Sequence, residues 1–133
     1  MSVFVALLLS AALTPGGLPG PISGDFDHDG KADTATIVLE GRDVYVLRIT
    51  RGAAPTAPVR VDLGFHPPDY MVPAKNGGVV KTACGKGAGV NGGPCPRPSV
   101  QVTRGDLLLG SREASESVLL WDGQTFRQEW LTD

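Results

Sequence analysis

A short acidic loop contains the residues of this sequence whose types and spacing point most clearly to chemistry. Aspartates occupy relative positions 1, 3, 5 and 9 and a glycine occupies position 6; these residues are Asp25, Asp27, Asp29, Asp33 and Gly30. Carboxylates at this spacing surround a hard cation with oxygen ligands, and the glycine permits a sharp reversal of the chain. Four anionic groups so close together repel one another unless a cation neutralises them, so the spacing predicts bound Ca²⁺.

The loop has one further expected ligand and two competing interpretations. Position 7 is Lys31, whose backbone carbonyl is the expected ligand there. An EF-hand or dockerin needs an acidic residue at position 12, where this chain has Thr36, and a helix afterwards, where it has a β-branched run. The other interpretation is a solvated acidic turn without an ion, because aspartate and glycine commonly form turns.

The segment GDFDHDGKAD, followed by TATIVL, resembles the calcium loop of FG-GAP and VCBS-type repeats. Such repeats occur in integrin-like β-propellers and in many secreted bacterial proteins. The resemblance implies that the loop leads directly into a strand and that the ligands are Asp25, Asp27, Asp29, the carbonyl of Lys31 and Asp33. Only one copy is present in the sequence, whereas a propeller needs several blades. We therefore expect the metal site of this family and not its propeller.

A small secreted hydrolase or hydrolase inhibitor is the alternative function, and its candidate residues are His66, Glu113 and Glu116. Two carboxylates can divide acid and base roles when their environments separate their pKa values. However, no serine or cysteine nucleophile stands near His66 in a recognisable motif, and a polar loop is the simpler interpretation of the glutamates. Within the calcium loop, His28 is interpreted as an exposed turn residue rather than a zinc ligand. The sequence thus favours a non-enzymatic protein.

The elements expected to position these residues are β-strands, because apolar and polar residues alternate with a period of two. Prolines predict a linker at residues 51–58 and irregular chain at residues 65–73. In the last expected strand, Phe126 and Trp130 share parity and should both face a core. About six or seven strands indicate an all-β fold, an antiparallel meander closed as a sandwich or partial barrel. Seven strands are expected, at residues 33–40, 45–49, 59–63, 100–102, 107–109, 117–121 and 125–130, whereas the glycines around residues 79–80 disfavour a further short strand there.

Two features of the sequence bear on cellular location: an apolar N-terminus and a pair of cysteines. Residues 3–13 are almost wholly apolar and precede a Pro- and Gly-containing stretch, so residues 1–20 are predicted to be a signal peptide and residues 21–133 a single β-rich domain. Cys84 and Cys95 predict a disulfide, with two free thiols as the alternative. We expect a periplasmic or secreted protein.

The overall charge limits the classes of partner. The chain has 12 basic and 14 acidic residues and no long block of either sign, which argues against nucleic acid as a partner. No stretch after the predicted signal peptide has the length and apolar character of a membrane span. The sequence therefore predicts an exported calcium-binding domain, acting as a binding or structural module toward an unidentified protein or glycan.

Overall fold

The fold is built from antiparallel strands. The structure is a computed structural model that describes residues 17–87, 94–112 and 115–132. Within these ranges the chain forms ten strands and, at Cys84–Lys86, a short 3₁₀ helix. None of the described residues lies in a helix with the length and apolar character needed to cross a membrane. The strands are β1 (Ile22–Gly24), β2 (Asp33–Glu40), β3 (Val44–Arg51), β4 (Ala54–Gly64), β5 (Tyr70–Pro73), β6 (Gly78–Lys81), β7 (Ser99–Val102), β8 (Leu107–Gly110), β9 (Glu116–Trp121) and β10 (Phe126–Thr132).

Two four-stranded sheets form a sandwich around the main core. The first sheet has the order β1-β2-β3-β4 and the second has the order β10-β9-β8-β5. Alternate residues of the strands point inward, as the period of two requires. The expected all-β class with antiparallel sheets is therefore confirmed. The main core consists of Phe26, Ala35, Ile37, Leu47 and Ile49 with Met71, Leu107, Leu109, Leu119 and Phe126.

A two-stranded sheet, β6-β7, packs on the outer face of the second sheet and encloses a smaller core. Val100 and Val102 of β7 contact Val118 and Leu131 there, together with Ala74. The second sheet is thus covered on both faces, which explains why β9 carries apolar residues at consecutive positions rather than alternating ones. Because β6 and β7 stand between β5 and its partner β8 in the chain, the second sheet departs from a simple meander.

The strand count of six or seven was wrong, since the described residues form ten. The additional strands include β1 and β5, which have three and four residues and are too short to show a period. The predicted linker at residues 51–58 is also partly strand, because β4 already begins at Ala54. Both β4 and β5 lie at sheet edges, where proline is tolerated because one side of the strand needs no hydrogen-bond donor.

The last hairpin differs from expectation in the placement of one tryptophan. Phe126 is 4% exposed and lies in the main core, but Trp130 is 48% exposed. The two strands of the hairpin are joined by residues 122–125, and their register shifts between Trp130 and Thr132. Parity along β10 therefore predicted burial correctly at one end of the strand and wrongly at the other.

The predicted disulfide between Cys84 and Cys95 is present, with the Cα atoms 5.6 Å apart. It closes a segment of which residues 88–93 lie outside the described residues. The predicted signal peptide also lies mostly outside them, because only residues 17–20 of that segment are described. Within this short part, Leu18 packs against the main core.

Candidate metal site

The acidic loop connects β1 to β2 at one end of the sandwich. The two strands pair up to Gly24 and Asp33, so the loop leaves and re-enters the sheet at neighbouring positions. Phe26 points inward from the loop and is completely buried in the main core. This apolar anchor fixes the loop on the sandwich while leaving polar side chains on its outer side.

Three of the predicted ligands come together in the loop. One carboxylate oxygen each from Asp25, Asp27 and Asp29 lies within 4.8 Å of the others. The chain reverses at Gly30, whose φ of +89° is a left-handed conformation that glycine adopts without steric cost. Asp27 is buried, Asp29 is exposed and Asp25 is intermediate, so the cluster opens toward solvent.

The carboxylate of Asp25 organises the reversal through backbone hydrogen bonds. Its two oxygens accept the amides of Asp29 at 3.0 Å and Gly30 at 2.8 Å. Partial burial raises the pKa of Asp25, but the amides of Gly30 and Asp29 stabilise the charged form, and the net pKa lies below its ordinary value of 3.8. Asp29 in turn accepts the amide of Lys31 at 2.9 Å. These hydrogen bonds hold the carboxylates of Asp25 and Asp29 within one tight turn.

Asp33 lies outside the cluster of three and stabilises the loop through hydrogen bonds to backbone amides. Its Oδ2 accepts the amides of Phe26 at 2.8 Å and Asp27 at 3.2 Å, and its Oδ1 accepts the amide of Gly52 at 2.8 Å. This carboxylate is 1% exposed and ties the acidic loop to the turn between β3 and β4. Direct coordination by Asp33 and by the carbonyl of Lys31 remains a prediction.

An arginine from β3 provides a counter-charge that the sequence did not reveal. The Nε of Arg51 lies 2.6 Å from Oδ2 of Asp27, whose side chain is completely buried. The same guanidinium lies 4.2 Å from the ring centroid of Trp121, in cation–π geometry. Burial raises the pKa of Asp27, and Arg51 opposes that rise. A buried carboxylate needs such a partner, because removal from water otherwise destabilises its charged form.

His28 links the loop to the second sheet. It is exposed, as expected, and adopts a φ of +59°, a conformation in which histidine occurs more often than most side chains. Its Nε2 lies 2.6 Å from Oδ1 of Asp106, and Oδ2 of the same aspartate accepts the amide of Thr103 at 2.6 Å. The imidazole therefore joins the acidic loop to the turn between β7 and β8.

No family model, curated protein or solved structure matches this chain. The chemistry of the site is accordingly judged from its own donors. The three clustered side chains offer only carboxylate oxygens, the ligand type that hard cations such as Ca²⁺ and Mg²⁺ prefer. Histidine and cysteine, which favour zinc, do not belong to this cluster.

The residues named for a hydrolase are not brought together. His66 lines a cavity beside Trp130, whereas Glu116 lines a different cavity beside Leu131. Glu116 accepts a hydrogen bond of 2.6 Å from the hydroxyl of Tyr70, which raises the pKa of Tyr70 to about 12. Glu113 lies outside the described residues.

The residues that sequence reasoning missed stand far from the loop along the chain. Arg51 and Gly52 fall where prolines predicted a linker, and Asp106 is 78 residues from its partner His28. The sequence held one indication of the contact with Arg51. Strands β2 and β3 form an antiparallel pair, so the end of β3, at residue 51, returns to the acidic loop from which β2 starts. The predicted antiparallel meander implies that these two strands pair, but it does not give their register.

Proposed function

We propose that this chain is an exported, calcium-binding β-domain that acts as a non-enzymatic binding or structural module. The observation that carries the proposal is the convergence of Asp25, Asp27 and Asp29 within 4.8 Å, in a loop that backbone hydrogen bonds hold in place. The resemblance of this loop to FG-GAP and VCBS-type repeats supports the same ion.

The charge of the loop suits a divalent cation. Its four carboxylates are accompanied by two basic side chains, Arg51 and Lys31, so two negative charges are in excess. Calcium takes six to eight oxygen ligands and accepts irregular geometry, so the clustered carboxylates, backbone carbonyl oxygen and water together complete its shell. Extracellular sites of this kind bind calcium at about 10⁻⁴ to 10⁻³ M.

The position of the loop gives the ion a structural role. The loop contacts the β3–β4 turn through Asp33 and the β7–β8 turn through His28. A cation bound between the aspartates reduces their repulsion and so stiffens three connections at the same end of the sandwich. Export is supported by the Cys84–Cys95 disulfide, because such bonds persist in oxidising compartments.

Calorimetric titration with CaCl₂, combined with thermal melts in calcium or in chelator, tests this proposal. We expect heat of binding and a rise in Tm, with about 1.4 kcal/mol of added stability when free calcium is tenfold above Kd. Asp29→Asn removes one charge from the most exposed member of the cluster and should weaken binding. Asp43→Asn removes one charge from the exposed β2–β3 turn and serves as the matched control.

Two outcomes would refute the calcium site. One is a wild-type chain that gives neither heat nor a shift in Tm with millimolar calcium. The other is an equal response of the Asp29 and Asp43 variants, which would assign the effect to overall charge and not to the loop.

A further inference from the structure

A cleft that shares no residue with the acidic loop is formed by the chain after β4 together with β8, β9 and β10. It has a volume of about 270 Å³. One part of its wall is apolar and rigid: Leu63, Pro67, Pro68 and the indole of Trp130. The two prolines restrict their own backbone and offer no amide donors, so this wall presents carbon atoms.

The remaining wall is polar and partly pre-arranged. The side-chain amide of Gln128 donates to Oγ of Ser117 at 2.9 Å, which orients the amide, and its carbonyl oxygen accepts no hydrogen bond from the described residues. The hydroxyl oxygens of Ser111 and Ser115 lie 3.2 Å apart at the same cleft. The ring of His66 also lines it and has no hydrogen-bond partner among the described residues. The carbonyl oxygen of Gln128 and the ring nitrogens of His66 are therefore available to a bound molecule.

The cleft carries no aspartate, glutamate, lysine or arginine among the described residues that line it. Two of the other cavities, beside the acidic loop and beside β5, do include charged side chains in their lining. None of these described lining residues supplies a counter-charge to a phosphate or to another strongly charged ligand at the neutral cleft. The described part of the lining therefore suits a neutral ligand that has both polar and apolar faces.

Trp130 provides a flat apolar surface at this cleft. It is 48% exposed although it is a large apolar residue, and it stands directly across the β9–β10 pair from Ser117. An exposed indole beside hydroxyl and amide groups is a common arrangement for binding amphipathic rings, because one end of the ligand is apolar and the other is hydrogen-bonded.

We propose that this cleft binds one ring of a neutral sugar. A pyranose stacks its C–H face on Trp130 and directs its hydroxyls to Gln128, Ser115 and His66. The volume lies slightly below the range of about 300 to 1,000 Å³ that is usual for ligand pockets, and it therefore accommodates a single ring better than an extended chain. The inference goes beyond calcium binding, because the cleft and the acidic loop share no residue.

The test is a titration of the full chain with neutral monosaccharides, followed by tryptophan emission and by calorimetry. Glucose, galactose, mannose and N-acetylglucosamine are added to about 50 mM, a range that captures millimolar affinity. Glucuronic acid and a proline-rich peptide are the charged and the peptide comparators. We expect saturable binding of at least one neutral sugar, the same affinity with calcium or chelator, and no saturation with either comparator.

Variants then assign the binding to the cleft. Trp130→Ala should weaken the affinity about tenfold or more, and Trp130→Phe should retain most of it because a ring remains. Leu39→Ala is the matched control, since Leu39 is 50% exposed and lies on the other sheet. If Trp130→Ala does not fold by circular dichroism, Ser115→Ala replaces it and should also weaken binding.

Three results would overturn the proposal. They are the absence of saturable binding with every neutral sugar, tighter binding of glucuronic acid or the peptide, and unchanged affinity in a folded Trp130→Ala variant. A negative calcium titration leaves this proposal standing, so the two failures are distinguishable.

Discussion

Replacement of Arg51 by methionine should measure how much the Arg51–Asp27 ion pair stabilises the acidic loop when no cation is bound. The variant leaves the carboxylate of Asp27, whose side chain is completely buried, without its counter-charge at 2.6 Å. Methionine keeps an unbranched apolar side chain at this position but removes the guanidinium, which pairs with Asp27 and lies over the Trp121 ring, so the main change is electrostatic. We expect a large loss of stability in chelator and a partial recovery in calcium, because a bound cation supplies charge to the same carboxylate.

The magnitude follows from the burial of the pair. Removing one partner of a buried ion pair costs about 3 to 5 kcal/mol. Arg51 is 22% exposed and can be partly replaced by water, so the lower end, about 3 kcal/mol, applies. For unit charges about 4 Å apart, an effective dielectric constant of about 20 gives about 4 kcal/mol, which is the same order. At about 4 °C for each kcal/mol, Tm should fall by about 12 °C.

Urea unfolding in chelator, followed by far-UV circular dichroism, measures this loss. Arg48→Met is the matched control, because Arg48 lies on the same strand, is 48% exposed and pairs with Glu40 at 3.4 Å. Such an exposed pair contributes about 0.5 kcal/mol. A double-mutant cycle with Asp27→Asn should give a coupling energy of about 1.5 kcal/mol or more, since that variant removes the charge that Arg51 neutralises. Equal losses at Arg51 and Arg48, or no coupling with Asp27, would refute the reasoning.

Two further predictions concern contacts away from the ion pair. The hydroxyl of Tyr70 donates to Glu116, and its pKa of about 12 lies above the ordinary value of 10, so this contact stabilises the fold below pH 10 and its contribution is lost between pH 10 and 12. Absorbance titration of phenolate should show a step near pH 12 that Tyr70→Phe removes and Tyr45→Phe retains; loss of that step in the Tyr45 variant would contradict the assignment. A Cβ at Gly52 would overlap the backbone oxygen of Ala32, so Gly52→Ala should destabilise the loop by about 1 to 3 kcal/mol, measured by urea unfolding. Gly123→Ala is the comparison: no atom lies close to a Cβ there and only the positive φ is strained, so this variant should lose less stability.

The acidic cluster was predictable because it is local. Asp25, Asp27 and Asp29 alternate within five residues, and Gly30 reverses the chain, so neighbouring spacing alone brings their oxygens together. Asp33 was predicted as a metal ligand; the structure shows its carboxylate accepting three backbone amides, and coordination of an ion by Asp33 stays a prediction. Its hydrogen bond to Gly52 depends on the β3–β4 turn, which the local sequence does not place.

The counter-charge was not predictable in the same way. Thr34 of β2 pairs with Thr50 of β3, and this register puts Arg51 beside the loop. A shift by one residue would direct Arg51 to the other face of the sheet. The sequence contains the arginine, but the contact with Asp27 depends on how two strands align.

The strands, too, differ in whether local sequence alone could predict them. The long alternating segments, including β2 and β3, were predicted because side-chain direction alternates with every residue. The short strands β1 and β5 were missed, since they exist only through pairing with β2 and β8. The outer β6-β7 layer was also not foreseen, because packing of one sheet on another depends on distant residues.

By itself, the sequence determined the all-β class, the acidic loop with three converging carboxylates, and the cysteine pair that forms the disulfide. These features follow from residue alternation, short-range spacing and the reactivity of thiols. Only the tertiary structure decided that Arg51 neutralises Asp27, that His28 reaches Asp106, and that Trp130 stands at a neutral cleft. The physical reason is that each of these contacts joins residues that strand register and sheet packing bring together, and neither is encoded in any single stretch of the chain.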